Sequence, residues 1–572
     1  MTPAAASRHP SPSTHDDVGS SALTVSEAVG STLVRLGVRA VFGVVGSGNF
    51  TMVNALRAHG ATFTAARHEG GAATMADAYG RLSGTVPVVS THQGCGLTNA
   101  VTGIAEAAKS RTPMIVLTAD TGAAAVLSNF RIDQDALASS IGAVAERIHS
   151  PATAVADTAR AFRTAVLERR TVVLSVPIDL LAQPAGAAPV PAAPQPQRVR
   201  PTAHAVEAVV QALQAAERPV IIAGRGARHA GEELLALAQE SGALTATSAA
   251  AHGLFGQDPF HLGISGGFSS DFTAATIAEA DLILAFGCAL NMWTMRHGSL
   301  ISDGATVIQV DVEQTALGAH RPVTLGVLGD AAETAQVVRQ QLSRQASPPP
   351  EGGFKQRTPR MREAVAAGAR KSTEAYEDLT GDGVVDPRTL SIALDRALPA
   401  ERVVTIDSGN FMGYPAAYLQ VPDERGFCMT QAFQSIGLGL YTAIGAAKAV
   451  PERLTVLGTG DGGFLMSIAE LETAVREELP MVVIVYNDAA YGAEVHHFEA
   501  TAQEMEIVRF PETDIAAIAR GFGAEGMTVR GTEDLDAVVE RLHRGVDSVL
   551  VIDAKIASDG GSWWLAEAFK GH

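Results

Sequence analysis

The sequence predicts an α/β protein made of doubly wound parallel sheets, with three domains as the number its length favours. At 572 residues it exceeds the roughly 250–300 at which one hydrophobic core stops growing. Hydrophobic residues make up 47% while aromatics reach only 5%. A chain so rich in Ala, Gly and Val suits strands buried on both faces. Two proline-rich stretches, Leu181–Pro201 and the SPPPEGG run at 347–353, read as extended linkers rather than packed elements. The expected segments are a disordered polar leader (1–21), a first domain (22–182), a linker (183–202), a second domain (203–345), a linker with a helix (346–385) and a third domain (386–572).

Composition also excludes classes of function. A net charge of −18 argues against a nucleic-acid partner, and no apolar run approaches the roughly 20 residues that span a bilayer. Cys95, Cys288 and Cys428 are few, odd in number and far apart, so neither a disulfide framework nor a zinc site is expected. The leader lacks the apolar core of a secretory signal. A reducing cytoplasm fits.

In the first domain an amphipathic helix, Val25–Leu36, precedes the apolar run Ala40–Val45, which ends in GSGN. Another helix and strand lead to RHEGGAATMADAYGRLSG, whose helix-like part, Ala73–Tyr79, ends toward Gly84. A short strand, Val88–Ser90, begins just after Pro87, where a missing amide does least harm, and runs into THQGCGLTNAVTGIAEA. The runs Pro113–Thr118 and Thr171–Val176 complete the alternation, which predicts a parallel sheet with its ligands at the carboxyl edge. The second domain repeats the pattern: Pro219–Ala223 followed by GRGA, a helix Glu232–Ser241, strands Leu282–Phe286 and Thr306–Val310, and a closing helix.

The third begins after a charged helical stretch reaching about Asp378. Gly381–Gly383 is a GDG with no apolar strand before it and reads as a loop. From Pro387 the alternation returns through Val403–Asp407, SGN and MTQAFQSIGLGLYTAIGAAKAV. The first and third domains look like a pair of similar sheets, although no repeat is visible in their residues.

The most informative stretch is Arg453–Gly492. An apolar strand, Leu454–Leu457, breaks into a turn at Gly458–Gly463 around Asp461, followed by a helical pattern from Met466 to Glu478. A second strand, Met481–Tyr486, then delivers Asn487 and Asp488. In a strand–helix–strand unit both carboxyl ends open on one side, so Asp461 and Asp488 can converge. Two oxygen-bearing side chains beside glycine amides suit a hard cation and a phosphate. No Lys-Ser/Thr follows the glycines and an acid lies between them, so this is neither a GxxxxGK[ST] nor a GxGxxG loop.

This stretch resembles the thiamine diphosphate signature, in which the metal-binding side chain lies about 27 residues after the GDG acid. That register falls on Asp488, where relatives mostly carry Asn. With RHEGGAA, GLTNAVTGIAEA and the SVPID run at 175–179, the chain after residue 21 resembles the acetolactate synthase and benzoylformate decarboxylase-like superfamily, with pyrimidine-binding, middle and diphosphate-binding domains. The resemblance implies thiamine diphosphate and Mg2+ as cofactors. It also implies a homodimer or homotetramer with active sites between subunits, and a small-molecule 2-oxo acid with a carbonyl acceptor as substrates.

Residue by residue, Glu69 matches the catalytic glutamate, whose hydrogen bond to the aminopyrimidine favours the tautomer that removes the thiazolium C2 proton. Asp461, Asp488 and the carbonyl of Ala490 match the metal set. Gly409, Asn410, Gly460, Gly462 and Gly463 match the diphosphate contacts, and Gln434, Ile436 and Tyr491 line the cofactor, Ile436 as its apolar prop. Asn410 also fits an Asx turn. Ser47 and His92 correspond in position to polar residues of benzoylformate-decarboxylase-like enzymes. If Phe130 matches the Phe of a carboligase Phe-Gln pair, Arg131 replaces the Gln. Trp293 and His497 are candidates for the substrate pocket. The RFDDRVTG-like run of flavin-containing synthases is missing, so FAD is not expected. The wording of the motifs favours a decarboxylating carboligase. Ser47 and His92 pull toward a simple decarboxylase, and a lyase acting on a 2-hydroxy ketone or 2-hydroxyacyl thioester is the third alternative, the last needing a basic pocket for which only scattered arginines such as Arg225 and Arg296 stand out.

Overall fold

A computed structural model describes residues 23–345, 354–499, 504–560 and 563–568. The leader at 1–21 and residues 346–353 of the second linker lie outside them. Among the described residues three six-stranded sheets make up the fold, and neighbouring strands in each run parallel. No helix among the described residues is long and apolar enough to cross a membrane, and all three cysteines are unpaired.

Each apolar run becomes a strand. In space the first sheet runs Thr62–Ala65, Ala40–Gly43, Val88–Thr91, Met114–Asp120, Thr171–Pro177, Val144–Arg147. The third runs Phe427–Met429, Arg402–Ile406, Leu454–Gly460, Met481–Asn487, Val549–Lys555, Glu525–Val529. Numbered along its own domain, each has the order 2-1-3-4-6-5, so the likeness invisible in the residues is present in the topology. The middle sheet has the order 3-2-1-4-5-6. At the point where that order reverses, the GRGA loop touches the loop after Leu282–Phe286. Gly226 donates its amide to the Gly287 carbonyl at 3.1 Å, and a side chain at Gly224 or Gly287 would strike the facing backbone.

Two helices start earlier than their residues suggest. The helix expected at Ala73–Tyr79 spans Glu69–Ser83, and the one expected from Met466 begins at Asp461 as Asp461–Ser467, followed by Glu470–Arg476. Both extensions run through glycine pairs, which disfavour helix by about 1 kcal/mol per residue. Close packing outweighs that cost. Residues 183–202 carry no helix or strand beyond an isolated bridge from Thr24 to Pro184, and Gly381–Val384 forms a bridged turn.

The first and third domains share one apolar core. Ala72, Met75 and Ala76 of Glu69–Ser83 pack with Leu440, Ala443 and Ile444 of Gly439–Ala449. A small residue lets the two backbones touch, since a Cβ on Gly445 would run into the Met75 carbonyl, and Gly71 leaves room for a neighbouring side chain, since a Cβ there would lie 2.8 Å from the Glu470 carboxylate. Because Gly445 meets backbone rather than a movable side chain, Gly445→Ala should destabilise the fold by about 1–3 kcal/mol, measured as a lowered melting temperature.

Candidate active site

The strands Leu454–Gly460 and Met481–Asn487 pair up to Gly460 opposite Tyr486, so the residues that follow them emerge side by side. Asp461 opens its helix and is 6% exposed. Burial raises the pKa of both Asp461 and Asp488. Their carboxyls hydrogen-bond to each other, and the charge of Asp461 drives Asp488 further up. Asn487 faces elsewhere: its amide donates to Asp553 at 2.8 Å and its oxygen accepts from Ala489 N at 3.1 Å. The 27-residue register therefore points to the side chain that faces Asp461. The chain turns through Ala489, held at φ 53°, and a bridge to Arg509 uses the Ala489 carbonyl and the Tyr491 amide. That bridge does not consume the Ala490 carbonyl. Gly492 makes room for Asp488, and Gly462 for the ring of Tyr491, which a Cβ would approach to 2.7 Å.

Asp407, which stood out only as the end of a strand, ties this region together. It is fully buried and accepts amide hydrogens from Ser408 at 2.8 Å and Gly437 at 3.0 Å, and the Thr459 hydroxyl at 3.3 Å. It thus joins the Gly409–Asn410 loop, the loop carrying Gln434 and Ile436, and the end of the Leu454–Gly460 strand. Burial pushes its pKa up to about 6 against these bonds. Gln434 adopts φ 58°, and Ile436 is left 41% exposed. Gly409, Asn410, Gln434, Ile436, Gly460, Asp461, Gly462, Gly463, Asp488, Ala490 and Tyr491 all line one cleft of about 1500 Å³.

Glu69, Ser47 and His92 do not line that cleft. They form a second group at the carboxyl edge of the first sheet. The Ser47 hydroxyl lies 3.4 Å from His92 Nε2, and His92 Nδ1 lies 3.0 Å from the Gln93 carbonyl. Phe130 packs against the His92 ring with centroids 4.9 Å apart. Glu69 is the first residue of its helix and accepts a bond from Asn99 Nδ2 at 3.1 Å. Gly96 separates it from His92: a Cβ there would sit 3.3 Å from Glu69 Oε1 and 3.1 Å from His92 Cβ. Asn99 was missed in the sequence, although it lies within GLTNAVTG.

The remaining candidates scatter. Trp293 lines the cleft from the middle domain. Arg131 is exposed beside Phe130, and the His497 ring packs edge-on against Phe498 without lining the cleft. Arg225 and Arg228 do line it, yet their guanidiniums bond the carbonyls of Ser110, Arg81 and Glu424, docking the middle domain on the other two. Arg296 is engaged with Gly266 and Ser269.

Comparison with known proteins matches three family models along the chain. They are the N-terminal TPP binding domain of thiamine pyrophosphate enzymes at residues 23–139, their central domain at 206–338 and their C-terminal TPP binding domain at 407–554. A probable 2-ketoarginine decarboxylase of Pseudomonas aeruginosa is 30% identical, with 91% of this chain and 92% of that protein aligned. A sulfoacetaldehyde acetyltransferase of Alcaligenes xylosoxydans is 28% identical over 91% and 90%. The large subunit of acetolactate synthase isozyme 2 of Escherichia coli is 25% identical over 88% and 91%.

The buried Asp407 generates a pH test. A carboxyl whose pKa rises on folding favours the fold while protonated, so its contribution is present below its ordinary value of 3.8 and lost as pH climbs through about 6. The change is worth about 3 kcal/mol. In Asp407→Asn the amide oxygen can still accept from Ser408 and Gly437. Melting curves between pH 4 and 7 should show wild type losing stability relative to the variant as pH rises, with a constant difference above about pH 7.

Proposed function

The chain belongs to the family of thiamine pyrophosphate enzymes, and we propose that it uses thiamine diphosphate and Mg2+ to decarboxylate a 2-oxo acid and transfer the acyl unit to a second carbonyl. The observation carrying this reading is the cleft in which Asp461, Asp488 and Ala490 gather beside Gly409, Asn410 and Ile436, an oxygen set and glycine amides suited to a metal and a diphosphate. Bound thiamine diphosphate supplies an electron sink for the pair left when carbon dioxide departs.

The diphosphate side suits that group. Burial drives Asp461 and Asp488 toward protonation, and the charge of Asp461 drives Asp488 further; a dication between them would relieve both. With the Ala490 carbonyl they make a sparse oxygen set of the kind magnesium shares with phosphate. Gly409, Asn410, Gly460, Gly462 and Gly463 receive the diphosphate, while Gln434, Ile436 and Tyr491 contact the rest of the cofactor. Glu69 holds a proton at the aminopyrimidine nitrogen, and Asn99 orients its carboxylate.

A complete site needs Glu69 and Asp461 on one cofactor, whereas in one chain they belong to different surfaces. We therefore propose a homodimer or homotetramer whose sites join the first domain of one subunit to the third of another. Apolar side chains left outside support this: Phe50 is 57% exposed and Leu127 94% in the first domain, Met466 47% and Ile507 81% in the third. Three unpaired cysteines suit a cytoplasmic setting. The Ser47–His92 contact favours a second reading, a simple 2-oxo acid decarboxylase in which this pair delivers the final proton.

Glu69→Gln should lower kcat/KM for carbon dioxide release at least about 100-fold, with pyruvate and benzoylformate as donors. An unchanged rate overturns the mechanism. Products from paired 2-oxo acids and aldehydes separate the two readings: carboligation gives a hydroxy ketone, and decarboxylation the free aldehyde. Asp461→Asn and Asp488→Ala should each raise the magnesium concentration for half-maximal cofactor binding about tenfold or more, followed by fluorescence titration. Unaltered affinity would remove the residue from the metal set.

A further inference from the structure

Two buried glutamates outside the cofactor set face each other's domains. Glu470 of the third domain is fully buried, and its Oε1 accepts the backbone amides of Arg67 at 2.8 Å and His68 at 2.9 Å. These are the two residues before Glu69. Its Oε2 accepts the Thr473 hydroxyl at 2.5 Å. Glu106 of the first domain is equally buried. Its Oε1 accepts Ala432 N at 3.0 Å and its Oε2 accepts Phe433 N at 2.6 Å, just before Gln434 and Ile436. Arg81 neutralises Glu106 at 2.7 Å.

The two arrangements are equivalent. Each glutamate lies on the helical segment between the third and fourth strands of its own domain, in Val101–Lys109 and Glu470–Arg476. Each grips the loop between the second strand and the next helix of the other domain. Both helices entered from those loops, Glu69–Ser83 and Gly439–Ala449, form the glycine-rich contact of the shared core.

We infer that Glu470 and Glu106 are reciprocal positioning residues, Glu470 setting the place of Glu69 and Glu106 that of the Gln434–Ile436 loop, through acceptor oxygens rather than through proton transfer. The inference rests on the cofactor roles proposed for Glu69 and Ile436. An amide is cheap to satisfy in water but costly to strand when buried, so a loop held by two such bonds has one favoured position. Misplacement by about 1 Å near a reacting group costs up to 100-fold in rate.

The bond pattern dictates a test that separates position from charge. Glu470 takes both amides on one oxygen, and its other oxygen meets a hydroxyl that can donate or accept. Glu470→Gln therefore satisfies every partner without charge, whereas Glu470→Asp keeps the charge and stops one methylene short. Deuterium exchange at the Arg67 and His68 amides is followed in the cofactor-free chain, and exchange of the C2 proton of thiamine diphosphate in the magnesium-loaded enzyme. Glu470→Asp should speed amide exchange and slow C2 exchange, each about tenfold. Glu470→Gln should stay within about twofold of wild type in both. If Gln is as damaging as Asp, or Asp changes neither rate, the inference is overturned. Should Glu470→Asp not fold, the isosteric Thr473→Val frees the same carboxylate and should slow C2 exchange in the same sense, less steeply; no change overturns the inference. At Glu106 both oxygens hold amides, so Glu106→Gln turns a donor toward a donor. It should speed exchange at Ala432 and Phe433 and weaken thiamine diphosphate binding about tenfold. Unchanged values would remove Glu106 from the pair. Glu69→Gln is the control: if it leaves C2 exchange intact, the role assigned to Glu69 fails, which is distinct from a failure at Glu470.

Discussion

The close contact between Glu69–Ser83 and Gly439–Ala449 is the constraint on which the rest depends. Gly445 brings the two backbones within reach of each other and Gly71 makes room for the side chains of Glu470 and Tyr441, and the apolar residues around them merge two sheets into one core. Each helix is entered from a loop that carries proposed cofactor contacts, one leading into Glu69 and the other bearing Ile436. Interiors pack at near-crystalline density and are not continuously deformable, so the geometry of this contact passes directly to both loops.

Buried charge secures the same junction. Arg81 is 9% exposed and bonds Asp77 and Glu106, whose side chains are wholly buried. Glu106 is held ionised: Arg81 and two amides outweigh the desolvation that opposes it. Such a network adds little net stability over an apolar equivalent but is costly to break, so its value here is in fixing register between domains. Asp407 does the converse. With only neutral donors around it, desolvation prevails and its pKa rises. The two carboxyls differ because one has a guanidinium and the other does not.

Much of this was legible in the residues because the strands are continuous apolar runs and the glycines mark where ligands or backbones approach. Leu454–Leu457 and Met481–Tyr486 announced their strands, and Asp461 and Asp488 their convergence. The helix starts at Glu69 and Asp461 were not legible, since Gly70, Gly71, Gly462 and Gly463 read as breakers until tertiary packing is known. Glu106, Glu470 and Asp407 were hidden for another reason. Their partners lie elsewhere in the chain, more than 300 residues away for the two glutamates, and an acid within an apolar segment reveals its function only through them.

The shared strand order and the exchanged glutamates make the junction of the first and third domains reciprocal. Each half sends one glutamate out from between its third and fourth strands and receives the other's in the loop after its second strand. A displacement of either loop is therefore opposed from both sides of the junction. Glu69 lies in one half and Asp461 with Asp488 in the other, so the candidate chemistry is divided between two halves that hold each other by the same device.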